Sequence, residues 1–226
     1  MTLKIGDFIW GFLLAGISAF FVIPSSHAVF LEATRSHPIL MGFVKVSILA
    51  TMGELLSRRI VSGNWERPLG LHLRFIVWGL LGMSFVVVFD LFSSGTGFVI
   101  EKGYLPTFGE TIGAVFCKAF WTSALMNLIF APTFMAVHRI TDGFIDECRG
   151  RFLSIFSVRL SEVTGKINWI DFMGFVVLIT IPCFWIPAHT ITFLLPAEYR
   201  VLAAAYLSIA LGAILSFAKI RNQKVS

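Results

Sequence analysis

Most polar residues in this chain fall in breaks between long apolar runs: Phe8–Phe30, Ile39–Leu56, Phe75–Phe92, Thr111–Val137, Ile170–Leu195 and Val201–Ala218. About 20 apolar residues cross the hydrocarbon layer of a bilayer, and most of these runs are near that length. None alternates strictly, as a lipid-facing strand does, and lipid offers backbone amides no partner, so the pattern predicts helices. The expected fold is all-α: a polytopic transmembrane helix bundle of about six membrane segments, in one integral membrane domain, 1–226. The linkers are Glu32–Pro38, Ser57–Arg74, Ser93–Glu110, His138–Trp169 and Pro196–Arg200. Gly95, Gly97, Gly103 and Pro106 predict an irregular loop for Ser93–Glu110.

Within the His138–Trp169 linker, Phe152, Phe156, Leu160 and Val163 recur at helical spacing, with Arg151, Arg159 and Glu162 off that line. This predicts one amphipathic interfacial helix lying in the headgroup plane. Small residues form stripes in two spans: Gly11, Ala15 and Ala19 in the first, and Ala204, Ser208, Gly212 and Ser216 in the last. Lipid tails are as apolar as leucine, so helices associate in membranes where small residues let backbones approach. Such a stripe serves either packing within the bundle or a homo-oligomer seam.

Charge fixes an orientation. Threading six spans from an inner N-terminus places Lys4, Arg58, Arg59, Arg67, Arg74, Arg139, Arg149, Arg151, Arg159, Lys166, Lys219, Arg221 and Lys224 on one face. Only Arg35, Lys102 and Arg200 fall on the other, while Lys45 and Lys118 lie inside runs. Positive charge beside span ends resists translocation, so both termini are expected in the cytoplasm. The net charge of +5 does not indicate nucleic acid, because the cations are dispersed in loops that adjoin spans and anionic headgroups. Membrane lipids are the expected surroundings. With 57% hydrophobic and only 14% charged residues, a soluble domain is excluded.

The chemistry-bearing residues are sparse. Cys117, Cys148 and Cys183 form no CxxC pair, and the five histidines lack metal-ligand spacing, so neither a metal nor a cofactor is expected. No paired carboxylates and no nucleophile–histidine arrangement point to an enzyme. The first run exceeds a signal-peptide core and is read as a retained span. Lys45, Glu54, Asp90, Lys118 and Asn127 interrupt the runs. A cation at mid-membrane costs roughly 2.5–3.5 kcal/mol, so it normally faces protein or water. Lys45, Asp90 and Lys118 are expected to cluster in the outer half of the bundle, continued inward by Glu54 and Asn127. Such a lumen would favour small anionic or polar solutes. Pro132, Pro182 and Pro187 each remove an amide and break a helix. The segment Pro182–Pro196 is expected to be a broken helix followed by an extended or re-entrant stretch carrying Trp185, His189 and Thr192.

These residues carry a resemblance. His37-Pro38, Gly53-Glu54, the block Leu73-Arg74-Phe75-Ile76-Val77-Trp78-Gly79, Phe130-Ala131-Pro132-Thr133-Phe134 and the closing Trp185, Pro187, Phe193, Pro196-Ala197-Glu198-Tyr199-Arg200 follow one another in order. In this the chain resembles the Mpv-seventeen/PMP-twenty-two family of small peroxisomal and mitochondrial membrane proteins, over about 36–221, with 1–35 as an extra N-terminal span. Departures fall at Met126-Asn127, Ile186, His189 and Thr192, where the family carries other polar residues or an unbroken Trp-Pro. The resemblance implies a non-enzymatic, channel-like membrane protein with weakly selective permeation. A non-conducting scaffold is the alternative, and an intramembrane enzyme a more remote one. Short loops and the lack of a transit peptide are read as a prokaryotic plasma membrane, or an organelle membrane in a eukaryote.

Overall fold

The computed structural model describes residues 3–109 and 111–223; Glu110, Lys224 and the side chain of Arg221 lie outside the described residues. Among the described residues there is no strand. The helices are α1 (Ile5–Val22), α2 (Pro24–Ser36), α3 (Pro38–Ser62), α4 (Leu71–Glu101), α5 (Ile112–Ile129), α6 (Ala131–Glu147), α7 (Leu160–Gly165), α8 (Trp169–Asp171), α9 (Ile186–Leu194) and α10 (Ala197–Gln223). A 3-10 turn, Phe152–Ser157, precedes α7, and a π-helix, Phe172–Trp185, joins α8 to α9. Six stretches are long and apolar enough to span: Ile5–Val22, Pro38–Ser62, Leu71–Glu101, Ile112–Ile129, Trp169–Leu194 and Ala197–Phe217. The protein is an all-α, multi-pass integral membrane protein.

Several expected boundaries move, each for a local reason. The run Phe8–Phe30 is two helices, because Pro24 lacks the amide that would continue α1 and instead opens α2. The 18 residues of α1 still cover about 27 Å. Residues 93–101, expected as loop, extend α4 to 31 residues. Unbonded backbone at membrane depth costs more than the roughly 1 kcal/mol that a glycine costs a helix. The fourth run stops at Ile129, where Phe130 and Pro132 start α6. The fifth does not become extended or re-entrant; Trp169–Leu194 is helical throughout. Widening the turn to i→i+5 bonds removes the i−4 carbonyl from beneath the Pro182 ring, and the Thr180 hydroxyl follows that pitch, donating to the Phe175 carbonyl at 3.1 Å. The amphipathic segment is present but divided. Ser157 donates to the Ser154 carbonyl at 2.7 Å, competing with a continuous helix, and Val158 and Arg159 are extended. Phe152, Phe156 and Leu160 remain exposed, and Val163 is buried.

The chain alternates between two ends. At one, the basic end, Arg59 of α3 holds Asp7 of α1 through two 2.7 Å bonds, and Trp65 Nε1 donates to the same carboxylate at 2.9 Å. Ser57 of α3 bonds Ser216 of α10 there, so both chain ends lie on one side of the bundle. At the opposite end Arg35 pairs with Glu198 at 2.9 Å, and Arg200 reaches Ser93 Oγ at 3.3 Å.

The core is α3, packed between α4 and α10. A methyl at Gly42 would lie 2.7 Å from the Gly82 carbonyl, and one at Gly82 2.6 Å from Val46 Cβ, so the two glycines set the α3–α4 separation. The stripe on α10 divides: Gly212 faces the Gly53 carbonyl and Ser216 bonds Ser57 of α3, while Ala204 and Ser208 line a cavity. The stripe on α1 differs, since Gly11 faces open space. α1 is held at the periphery by single contacts, among them Trp10 Nε1 to the Met52 carbonyl at 3.0 Å and Ser18 to Tyr206 at 2.7 Å.

Candidate functional site

The π-helix makes its bundle contacts chiefly with α5, so the half of the fifth span nearer the basic end stands off from the other helices. The gap is a cavity of about 490 Å³ between the π-helix and α4, α5, α6 and α10. Its walls are aromatic: Trp78, Phe85, Phe89, Phe130, Phe134, Phe172 and Phe175. Polar groups occupy its two ends.

At the deep end are Asn127 of α5, Trp185 at the end of the π-helix and His189 of α9. Asn127 is 1% exposed and His189 7%, so both are effectively removed from lipid. Asn127 Nδ2 donates to the Ser123 carbonyl at 2.8 Å and lies 3.1 Å from His189 Nδ1. The Ser123 hydroxyl in turn donates to the Ile186 carbonyl at 2.7 Å, tying α5 to the π–α junction. His189 is wedged between Trp185 (5.1 Å) and Phe89 (5.7 Å).

At the mouth are His138, Arg139, Asp142, Asn168 and Asp171. Beside them Arg74 bonds Asp142 and Asp146 at 2.6 Å each and approaches Glu54 at 3.3 Å. Arg74 is buried in the first turn of α4, and its five donors serve three carboxylates from α3 and α6 plus the Leu69 carbonyl. His138 Nδ1 stands 3.3 Å from Asp142, with Trp78 against its ring at 4.1 Å. Burial pushes the His138 imidazole down, but the Asp142 hydrogen bond and charge outweigh it, leaving His138 above the ordinary histidine value.

The structure joins Asn127 to His189 and places Glu54 in the network beside the mouth. It does not gather Lys45, Asp90 and Lys118. Lys45 is buried elsewhere, donating to the Glu198 carbonyl at 3.3 Å and lying 4.7 Å over the Phe30 ring. Asp90 is exposed, and the cation it acts on is Arg200. Lys118 is exposed and lies against Gly97 of α4, where the missing side chain leaves it room. A long alkyl stem carries each lysine's charge away from hydrocarbon by a local route, which removes the need for a shared cluster. Arg139, at the mouth, is therefore the cation among the described lining residues.

The motif residues mostly hold the frame. His37 and Pro38 open α3, and Gly53 abuts Ile209. Gly79 is buried against the Phe43 ring. Pro187 lies in the first turn of α9, and Phe193 packs on Phe89 at 5.3 Å under the Arg200 guanidinium. Pro196 precedes α10, Tyr199 stacks on His27, and Arg200 also donates to the Leu195 carbonyl at 3.0 Å. Sequence reasoning missed the mouth. His138, Asp142 and Asp146 sit at helical spacing in a segment read as linker, and that spacing was the available signal. No family model, curated protein or solved structure matches this chain.

Proposed function

We propose that this protein is channel-like, passing small polar solutes with weak selectivity along the gap between the fifth span and the bundle. One observation carries this reading: a cavity of about 490 Å³ that runs from an ionic mouth at the basic end to a buried Asn127–His189 pair. Polar residues at membrane depth face either a partner or water, and here they face a space large enough for a solute. Lys45 and Lys118 lie off this path and the mouth carries both signs, so neutral or zwitterionic solutes fit better than anions. Beyond His189 the rings of Phe89 and Phe193 close the route, and permeation requires them to part. The basic end faces the cytoplasm by the distribution of Lys and Arg. The ordered motifs support membership of the Mpv-seventeen/PMP-twenty-two family.

The test is swelling of liposomes containing the purified chain in a glycerol gradient, with Ser208→Trp as the blocked variant, since Ser208 lines the cavity. Glycerol entry above protein-free liposomes, abolished by Ser208→Trp at unchanged thermal stability, is the expected result. Entry no faster than in protein-free liposomes would make the bundle a non-conducting scaffold, and equal entry in the variant would move the path elsewhere.

A further inference from the structure

We infer that the deep end of the cavity binds a neutral, largely apolar molecule through a carbonyl oxygen, which accepts from Trp185 Nε1 and His189 Nε2. This goes beyond the permeation reading: it concerns the same cavity but names a ligand held at its deep end, distinct from the small polar solutes that pass.

Among the described residues five buried side-chain polar atoms have no hydrogen-bond partner: the hydroxyls of Thr34, Thr51 and Thr96, and two ring nitrogens of residues that line this cavity, Trp185 Nε1 and His189 Nε2. Buried polar groups are nearly always paired, and leaving one unpaired is costly. Two such atoms on neighbouring rings at the end of one cavity form a matched set. The residues are four apart across the junction of the π-helix and α9, their rings 5.1 Å apart and inclined by 34°. π-Helical segments interrupt regular helices mostly where a site needs them, and here the wide turn turns both rings toward the gap they line.

The chemistry of the partner follows from the donors. Indole Nε1 only donates. The Asn127 amide is oriented by the Ser123 carbonyl, which takes one Nδ2 hydrogen at 2.8 Å; His189 Nδ1 stands 3.1 Å from Nδ2 and 3.2 Å from Oδ1 of that amide. We take Nδ1 as the acceptor of the shorter of these two contacts; the neutral imidazole then carries its proton on Nε2 and is a donor there as well. The ligand must therefore accept twice, as a carbonyl oxygen does with its two lone pairs. A carboxylate or phosphate would also accept, but no Lys or Arg lines this end, and a bare anion at membrane depth is strongly disfavoured. The remaining walls, Phe85, Phe89, Phe130 and Phe134, suit a flat apolar body. Both nitrogens are shielded by the surrounding side chains, so the rings rock about their soft terminal torsions to meet the oxygen.

The experiment is equilibrium binding to the full chain in nanodiscs of two probes of one shape, acetylnaphthalene and isopropenylnaphthalene, substituted at the same ring position. They differ in an oxygen against a methylene. After subtraction of partitioning into empty nanodiscs, the ketone is expected to bind about tenfold more tightly, the factor for one net hydrogen bond of about 1.4 kcal/mol. Trp185→Phe and His189→Phe each keep a ring, remove one donor and reduce this preference towards unity. Trp185→Phe does not lower ligand-free thermal stability through loss of its N–H, which had no partner to lose; His189→Phe also removes the Nδ1 contact with Asn127 and is expected to lower it. Equal binding of both probes to the unaltered chain overturns the inference, as when water alone satisfies the two nitrogens. So does a preference undiminished in either variant. Ketone preference without glycerol entry removes the permeation reading alone, whereas glycerol entry without ketone preference removes this inference alone.

Discussion

Arg74 is the residue on which the basic end of the bundle is predicted to depend most. Its side chain is 4% exposed and joins α4 to α3 through Glu54 and to α6 through Asp142 and Asp146. Arg74→Met leaves Asp142 and Asp146 without their guanidinium and Glu54 with Arg58 alone, 3.6 Å away. Breaking a buried pair by deleting one partner costs about 3–5 kcal/mol. Asp146 is 54% exposed and regains water, so its share is small; Asp142 at 21% and Glu54 at 18% carry the penalty. The loss is then about 3 kcal/mol, at the low end of that range, which lowers the melting temperature by roughly 6–12 °C for a chain of this length. The assay is thermal unfolding of the purified protein in detergent. Arg74→Lys supplies one point charge in place of the planar fork and is expected to recover only part of the loss. Asp142→Asn added to Arg74→Met should return about 1 kcal/mol or more, because it removes one of the repelling charges. An Arg74→Met melting temperature within about 2 °C of the unaltered protein would refute the reasoning.

Gly82→Ala drives a methyl to 2.6 Å from Val46 Cβ at the α3–α4 crossing and should destabilise the bundle by about 1–3 kcal/mol, read in the same melt. Lys118→Met is expected to leave both the melt, within about 0.5 kcal/mol, and glycerol entry unchanged, since Lys118 lies outside the cavity. His138 stands above the ordinary 6.5, through Asp142 acting against burial. Its contribution to stability is complete below that value and is lost as pH rises through the raised one. The melting temperature should fall as pH rises above the ordinary histidine value, and His138→Gln should flatten that slope.

The number of spans was legible because apolar length maps directly onto bilayer thickness, and each of the six runs became a spanning helix. Helix ends were less legible. Glycines in 93–101 signal a loop in water, but lipid charges more for bare backbone than for glycine, so α4 continues. Pro182 signals a break, yet the chain accommodates it by widening its turn, an outcome that no local pattern of residues encodes. Pro24 and Pro132 act as their missing amides require. For the candidate site, Asn127 and His189 were recognisable as polar residues in apolar runs. Lys45 and Lys118 carried the same signal but went elsewhere, because a backbone carbonyl and a glycine notch were within reach of their stems. The mouth residues His138 and Asp142 drew no attention in a hydrophilic linker, where charge is ordinary. Only the packing of α6 against the start of α4 gives them a place beside a cavity.

A water-filled space inside the six-span bundle is tested most directly by cysteine accessibility. With Cys117, Cys148 and Cys183 replaced by alanine, Met135→Cys places a thiol on the cavity wall, and Leu178→Cys places one on the exposed face of the π-helix. In nanodiscs a charged, water-soluble maleimide should modify Met135→Cys and leave Leu178→Cys, which faces lipid, unmodified. Equal modification of the two, or an unreactive thiol at position 135 in a folded protein, would contradict the account.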